Sequence, residues 1–244
     1  MEILSIGNSF SQDAHRYLHQ IAKADGVDIQ AFNLFIGGCS LATHHKNMQT
    51  GDPAYTLEMN GTSTGFSVSL KDALTNRNWD LVTLQQASPL SPQYDTYQPY
   101  LHDLAAYIRQ LLPNTKIAMH QTWAYEQGSD RLHKELQYHK HTDMLQDIIH
   151  AYAQATQAIR ADYSIPCGEV FGALLQNGIP KVHRDTFHAD LGLGRYALGL
   201  MWYRALTGKE IAENSFREFD VPISHQHIAI AKKCVLEVAQ RYGM

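Results

Sequence analysis

A serine hydroxyl, an imidazole and a carboxylate can together cleave an ester, and this chain carries one of each in suitable places. Ser9 lies in Gly7-Asn8-Ser9-Phe10-Ser11. Residues 2–6 read as a short buried strand, apolar and partly β-branched, stopped by Gly7. From Ser11 onward the apolar residues Ala14, Tyr17, Leu18, Ile21 and Ala22 fall three or four apart, which predicts a helix with one apolar stripe. Ser9 is therefore expected between a strand's carboxyl end and a helix's amino end. Unpaired N–H groups and the positive end of the helix dipole favour developing negative charge there. Gly7 is expected to let the chain turn sharply and to leave room for a substrate. The same position suits a plain helix cap, where serine is favoured, so a catalytic assignment needs partners.

Those partners lie near the other end, in His183-Arg184-Asp185-Thr186-Phe187-His188. A serine is a weak nucleophile until a base takes its proton. His188 supplies the base. Asp185, three residues earlier, can meet the near ring nitrogen and leave the far one for Ser9. The order Ser, Asp, His along the chain is one of several that work. Asp190 is the competing carboxylate, and the helix expected after it makes Asp185 the better partner. Arg184 is expected to pair with a surface acid. The tetrahedral intermediate also needs donors for its oxyanion. The backbone N–H of Ser9 is one and that of Gly38, in the tight turn Gly37-Gly38, is a second. An amide from Gln85 or Gln86 is the third. Alternation puts these two on opposite faces, so one should serve, and Gln85 is the choice.

These residues share a site only if the elements bring them to one edge. Strands are expected at 2–6, 27–36, 79–84, 116–120 and 163–166, alternating with helices at 100–112, 141–162, 169–176, 191–206 and 225–242. Gly61 to Gly65, between residues 55–60 and 66–69, signals a hairpin. Residues 42–54 read as a loop or short helix, and 126–133 as a polar loop. Five strand–helix alternations predict a single α/β domain over 1–244, with a central five-stranded, mostly parallel sheet covered on both faces. In such a sheet ligands bind outside the strands' carboxyl ends. Ser9, Gly37-Gly38, Gln85-Gln86 and Gln121-Thr122-Trp123 all follow strands. Gln121 and Trp123 are thus candidates for substrate binding, Trp123 and Tyr125 as a sugar-stacking wall.

Composition narrows the function. In 244 residues, hydrophobic types make up 44% and charged types 18%, an ordinary globular balance. A net charge of −4 gives no footprint for nucleic acid or an anionic membrane. No apolar run reaches the roughly 20 residues of a membrane helix. The expected location is the cytoplasm, or outside it if a leader has been removed. Cys39, Cys167 and Cys234 are odd in number and widely spaced, against a disulfide framework. His44-His45, His139/His141 and His225/His227 lack metal-ligand spacing and read as solvated surface, so no metal site is expected. A flavodoxin-like cofactor binder would need a longer phosphate loop than residues 7–11, and Phe10 would block it.

The blocks Gly7-Asn8-Ser9-Phe10-Ser11 and Asp185-Thr186-Phe187-His188, about 180 residues apart, with a glycine after the second strand, resemble the SGNH (GDSL-like) hydrolases. The resemblance implies a flavodoxin-like three-layer α/β/α fold. It implies Ser9 as nucleophile, His188 as base, Asp185 as its orienting acid and Gly38 as an oxyanion donor. It also implies lipase, esterase or carbohydrate acetylesterase chemistry without metal or organic cofactor. One block departs from the pattern. The Gly-x-Asn-Asp usual in the family is replaced by Leu84-Gln85-Gln86-Ala87-Ser88, and glutamine carries the same amide on a longer arm, as in some carbohydrate-esterase branches. The expectation is a serine esterase that removes a small acyl group, acetyl above all, from a carbohydrate or other polar alcohol. The insertions at 42–65 and 126–133 lack the long apolar surface of a lipase lid. The competing expectation is a non-catalytic ligand-binding protein on the same fold.

Overall fold

The computed structural model describes residues 1–244. Strand β1 (Glu2–Gly7) is nearly continuously buried, as a strand covered on both faces must be. It pairs in parallel with β2 (Gln30–Phe35) on one side and β5 (Leu81–Leu84) on the other, and β6 (Lys116–His120) and β7 (Tyr163–Ile165) continue the parallel run. The five parallel strands expected from sequence are all present, in the order β2-β1-β5-β6-β7, with the direction reversing beside β1. The sheet has seven strands, not five. The hairpin β3 (Tyr55–Met59) and β4 (Thr62–Val68) adds to the free edge of β2, giving the order β4-β3-β2-β1-β5-β6-β7. An open β2 edge would leave a row of backbone donors and acceptors without partners, and β3 supplies them. The hairpin turns at Asn60-Gly61, earlier than the glycine run suggested.

Helices cover both faces. The helix expected after Ser11 is two: α1 (Ser9–His15) and α2 (Leu18–Ala24), broken at Arg16-Tyr17. They pack with α7 (Cys167–Gln176), α8 (Leu193–Thr207) and α9 (His225–Arg241) on one face. The other face carries α3 (Leu41–Thr50), α4 (Leu70–Thr75), α5 (Tyr100–Leu111) and α6 (His141–Ala158). Residues 42–54 are thus mostly helix, capped at its start by the Ser40 side chain. One continuous hydrophobic cluster runs through both layers. No helix is long and apolar enough to cross a membrane.

Several histidines belong to the core. His44, expected at the solvated surface, is buried and stacked on Tyr55, with Nδ1 3.0 Å from the Tyr55 hydroxyl. His15 and His120 both pack edge-on against Trp202. Burial lowers the pKa of His15, His44 and His120 to about 3, with His15 also pushing His120 down. An unfolded chain protonates these rings near pH 6.5. Between about pH 6.5 and 3 the unfolded state therefore binds protons that the folded state does not, and stability falls as pH drops. Each ring contributes a slope of up to about 1.4 kcal/mol per pH unit in that window. The urea midpoint is expected to fall in the order pH 7.5, 6 and 5 (about one unit or more apart). A constant midpoint across that range would show that the buried rings do not control acid stability.

Candidate active site

The site is built at the end of β1. Asn8 caps α1: its side-chain Oδ1 accepts the Phe10 N–H at 2.9 Å, and its backbone N–H donates to the Ser11 hydroxyl at 3.0 Å. This reciprocal cap makes Ser9 the first residue of the helix. Gly7 serves differently from the expectation. A Cβ there would lie 2.0 Å from the Ser11 Oγ, so the missing side chain makes room for the cap and not for a substrate. The Ser11 hydroxyl also lies 2.8 Å from Asn33 Oδ1 on β2, whose amide donates to the buried Glu58 at 2.8 Å. The nucleophile turn is thus tied to two neighbouring strands.

Ser9 Oγ lies 2.8 Å from His188 Nε2, and His188 Nδ1 lies 2.8 Å from Asp185 Oδ2. The second Asp185 oxygen accepts the backbone N–H of His188 at 2.9 Å. Burial alone would raise the Asp185 carboxyl, but the His188 ring and backbone donors outweigh it and hold the pKa below the ordinary value. A charged Asp185 fixes the proton on His188 Nδ1 and leaves Nε2 facing Ser9 as the acceptor. Asp190 is occupied elsewhere, accepting the N–H groups of Gly192 and Gly194.

The loop that carries His188 is fastened at many points. Glu126 N–H donates to Thr186 O at 2.7 Å, and the Trp123 indole N–H to Phe187 O at 2.7 Å. Thr186 has a φ of +82°, unfavourable for a β-branched residue, so these bonds hold it where it would not rest alone. Arg184 pairs with Asp13 of α1, which is fully buried, and not with a surface acid. Asp13 also accepts Arg195 Nε at 2.9 Å and the Ala189 N–H at 3.1 Å.

Ser9, His188 and Gly38 line one open cavity of about 400 Å³, with Phe35, Pro89, Tyr125, Arg131 and others. The N–H groups of Ser9 and Gly38 have no partner within the protein. Gly38 has a φ of +63°, where an L side chain is strained, which aims the turn's backbone at the cavity. Gln85 and Gln86 do not line it. Gln85 is buried, donating to Asn8 Oδ1 at 2.7 Å and lying 2.8 Å from His120 Nδ1 through its Oε1. Because the Gln85 nitrogen donates to Asn8, its oxygen accepts, so the His120 proton sits on Nδ1. Gln86 accepts the Leu41 N–H and donates to Thr96 O. Both amides fasten the walls behind the cavity instead of facing an oxyanion.

The two expected substrate residues also stand apart from it. Gln121 is buried, and its side-chain oxygen accepts the Glu169 N–H in the first turn of α7 at 3.2 Å. Trp123 is fully buried, stacked on Phe10 with ring centroids 4.1 Å apart, so it supports the His188 loop rather than forming a sugar wall. Tyr125 does reach the cavity, its hydroxyl 2.8 Å from that of Ser88. Ser88 and Arg131 carried no sequence signal beyond lying in polar segments. No group of three His, Cys, Asp or Glu side chains is placed to hold a metal ion.

Comparisons with known proteins agree with this architecture. A crystal structure from Bacteroides uniformis ATCC 8492, of a DUF4886 family protein, is 34% identical, with a TM-score of 0.91, covering 98% of this chain and 95% of that one. A protein from Slackia heliotrinireducens assigned to the SGNH hydrolases is 22% identical over 84% of this chain and 98% of its own, with a TM-score of 0.60. A variant of an acetyl xylan esterase from Geobacillus stearothermophilus is 14% identical over 89% and 97%, with a TM-score of 0.51. At these identities the last two show a shared fold, that of the SGNH hydrolases. No curated protein matches. The family model for the domain of unknown function DUF4886 matches residues 2–237, and the chain belongs to that family.

Proposed function

We propose that this protein is a serine esterase that hydrolyses a small acyl ester, acetyl above all, of a carbohydrate or other polar alcohol through an acyl-enzyme. The observation that carries the reading is the unbroken chain from Ser9 Oγ through His188 to Asp185, opening onto a cavity with two unpaired N–H groups. His188 Nε2 takes the Ser9 proton as Oγ bonds to the ester carbon. The carbonyl oxygen becomes an oxyanion and turns toward the N–H groups of Ser9 and Gly38. Its collapse breaks the bond to the alcohol oxygen, which leaves with the proton from His188. Water then repeats the sequence, with His188 as base, and frees the acid. Asp185 holds the imidazole and balances its transient charge.

The cavity is near the small end of ligand sites, which suits a short acyl group. The hydroxyls of Ser88 and Tyr125 suit a polar alcohol, and the fold is shared with an acetyl xylan esterase. A fluorophosphonate probe, followed by peptide mass spectrometry, tests the reading. The adduct is expected on Ser9 in the wild-type protein, and hydrolysis of p-nitrophenyl acetate is expected to vanish in Ser9→Ala. A folded wild-type protein that takes no label would instead favour the ligand-binding role.

A further inference from the structure

The cavity beside Ser9 is lined by one fully charged side chain, Arg131, and by no carboxylate. Its guanidinium carbon sits 4.0 Å from the centre of the Phe187 ring, and that ring lies 3.9 Å, centre to centre, from the ring of His188. Arg131 is exposed, stands beside the Tyr125 hydroxyl, and forms no salt bridge with a carboxylate. Two of the neighbouring acids are engaged elsewhere: Asp130 pairs with Lys134, and Asp185 with His188. Glu135, four residues on and therefore on the same side of the turn, is exposed, forms no salt bridge with Arg131 and does not line the cavity. An unpaired cation at the mouth of an open cavity is a ready partner for an anion.

The backbone holds Arg131 at that edge in an uncommon way. Residues Arg131–Glu135 form a single π-helical turn, closed by the Leu136 N–H on Arg131 O at 3.1 Å. Such turns are rare and cluster at functional sites. Leu132, the next residue, is fully buried and anchors the turn. Phe187 both supports the guanidinium from below and fixes its distance from His188.

Direction follows from the chemistry. The leaving oxygen must lie against His188 Nε2 to collect its proton, so the alcohol occupies the His188 side of the cavity. Arg131 stands on that side, over Phe187, whereas Gly38 serves the oxyanion. We infer that Arg131 selects esters whose alcohol portion bears a carboxylate; the inference rests on the esterase reading above. A guanidinium fork meets a carboxylate with two parallel N–H donors, which fixes orientation as well as affinity. Because the alcohol departs when the acyl-enzyme forms, Arg131 acts on acylation. Deacylation, which starts from the acyl group alone, does not involve it.

A shape-matched pair of probes tests this: 3-acetoxybenzoate and its neutral counterpart 3-acetoxybenzamide. The ratio of their kcat/KM values cancels general losses of activity. That ratio is expected to fall about tenfold from wild type to Arg131→Met and to recover in part in Arg131→Lys. In the wild type it is also expected to decline as salt is raised, since the pair is solvent-accessible. Both variants sit at an exposed position, and fluorophosphonate labelling of Ser9 checks that each retains its nucleophile. Equal ratios in wild type and Arg131→Met, with Ser9 labelled in both, would overturn the anion inference and leave the esterase intact. A wild-type protein that neither labels nor cleaves either probe would overturn the esterase reading itself.

Discussion

His188→Ala is expected to lower kcat for p-nitrophenyl acetate by about 10⁴-fold or more, while leaving the urea midpoint nearly unchanged. The imidazole hydrogen-bonds only to Ser9 and Asp185, and its one close packing contact is with the Phe187 ring at 3.9 Å, so its removal disturbs chemistry far more than packing. Without it the Ser9 proton has no acceptor in the attack and the departing oxygen has no donor. Asp185→Asn should cost about 10³–10⁴-fold, because an amide can present a donor to Nδ1 and favour the wrong tautomer. The double variant Ser9→Ala with His188→Ala should be no slower than either single one, since groups that act as a unit do not add. The fluorophosphonate adduct on Ser9 should be lost in His188→Ala. Activity within tenfold of wild type in that variant would mean that His188 is not the base.

The fold was legible because its signal is local. Strand and helix periods alternate, and each period comes from which side a residue buries. The hairpin was legible as a hairpin, yet its attachment was not: pairing β3 to β2 is a matter of a vacant edge elsewhere in the chain. Gln85 shows where pattern reading stops. Alternation holds within a pleated strand, and β5 ends at Leu84, so the two glutamines lie where the rule no longer applies, and both turned inward. Gln121 and Trp123 follow β6 and are buried in the same way, because the chain leaving that strand passes under the His188 loop before Tyr125 surfaces. Arg131 was hidden inside a polar segment. Only the position of Phe187, more than fifty residues on, gives that arginine a place in the cavity.

The same limit applies to Asp13 and Arg184, 171 residues apart, and their pairing leads to the largest stability effect expected. Asp13→Ala is expected to destabilise the fold by about 3–5 kcal/mol. Asp13 is completely buried and receives both its oxygens' bonds from Arg184 at 2.9 Å, with Arg195 and the Ala189 N–H completing its shell. Removing the carboxylate leaves two guanidinium groups pointed at an empty centre. Arg195 can lean on Asp220, 3.2 Å from its Nη1, but Arg184 has only the Ala189 carbonyl. Since Arg184 remains partly exposed, some of its charge is recovered by water, which favours the lower end of that range. In a chain of this length the loss should lower Tm by roughly 6–20 °C. Activity should fall as well, even where the variant is fully folded, because Asp13 holds Ala189, which bridges to His183, and Arg184 next to it, and that bridge presents His188. Urea unfolding measures the first effect and kcat under native conditions the second. A stability loss below about 1 kcal/mol would mean that the arginines find other partners, and that α1 and the His188 loop are joined by the packing of Phe10, Trp123 and Phe187 instead.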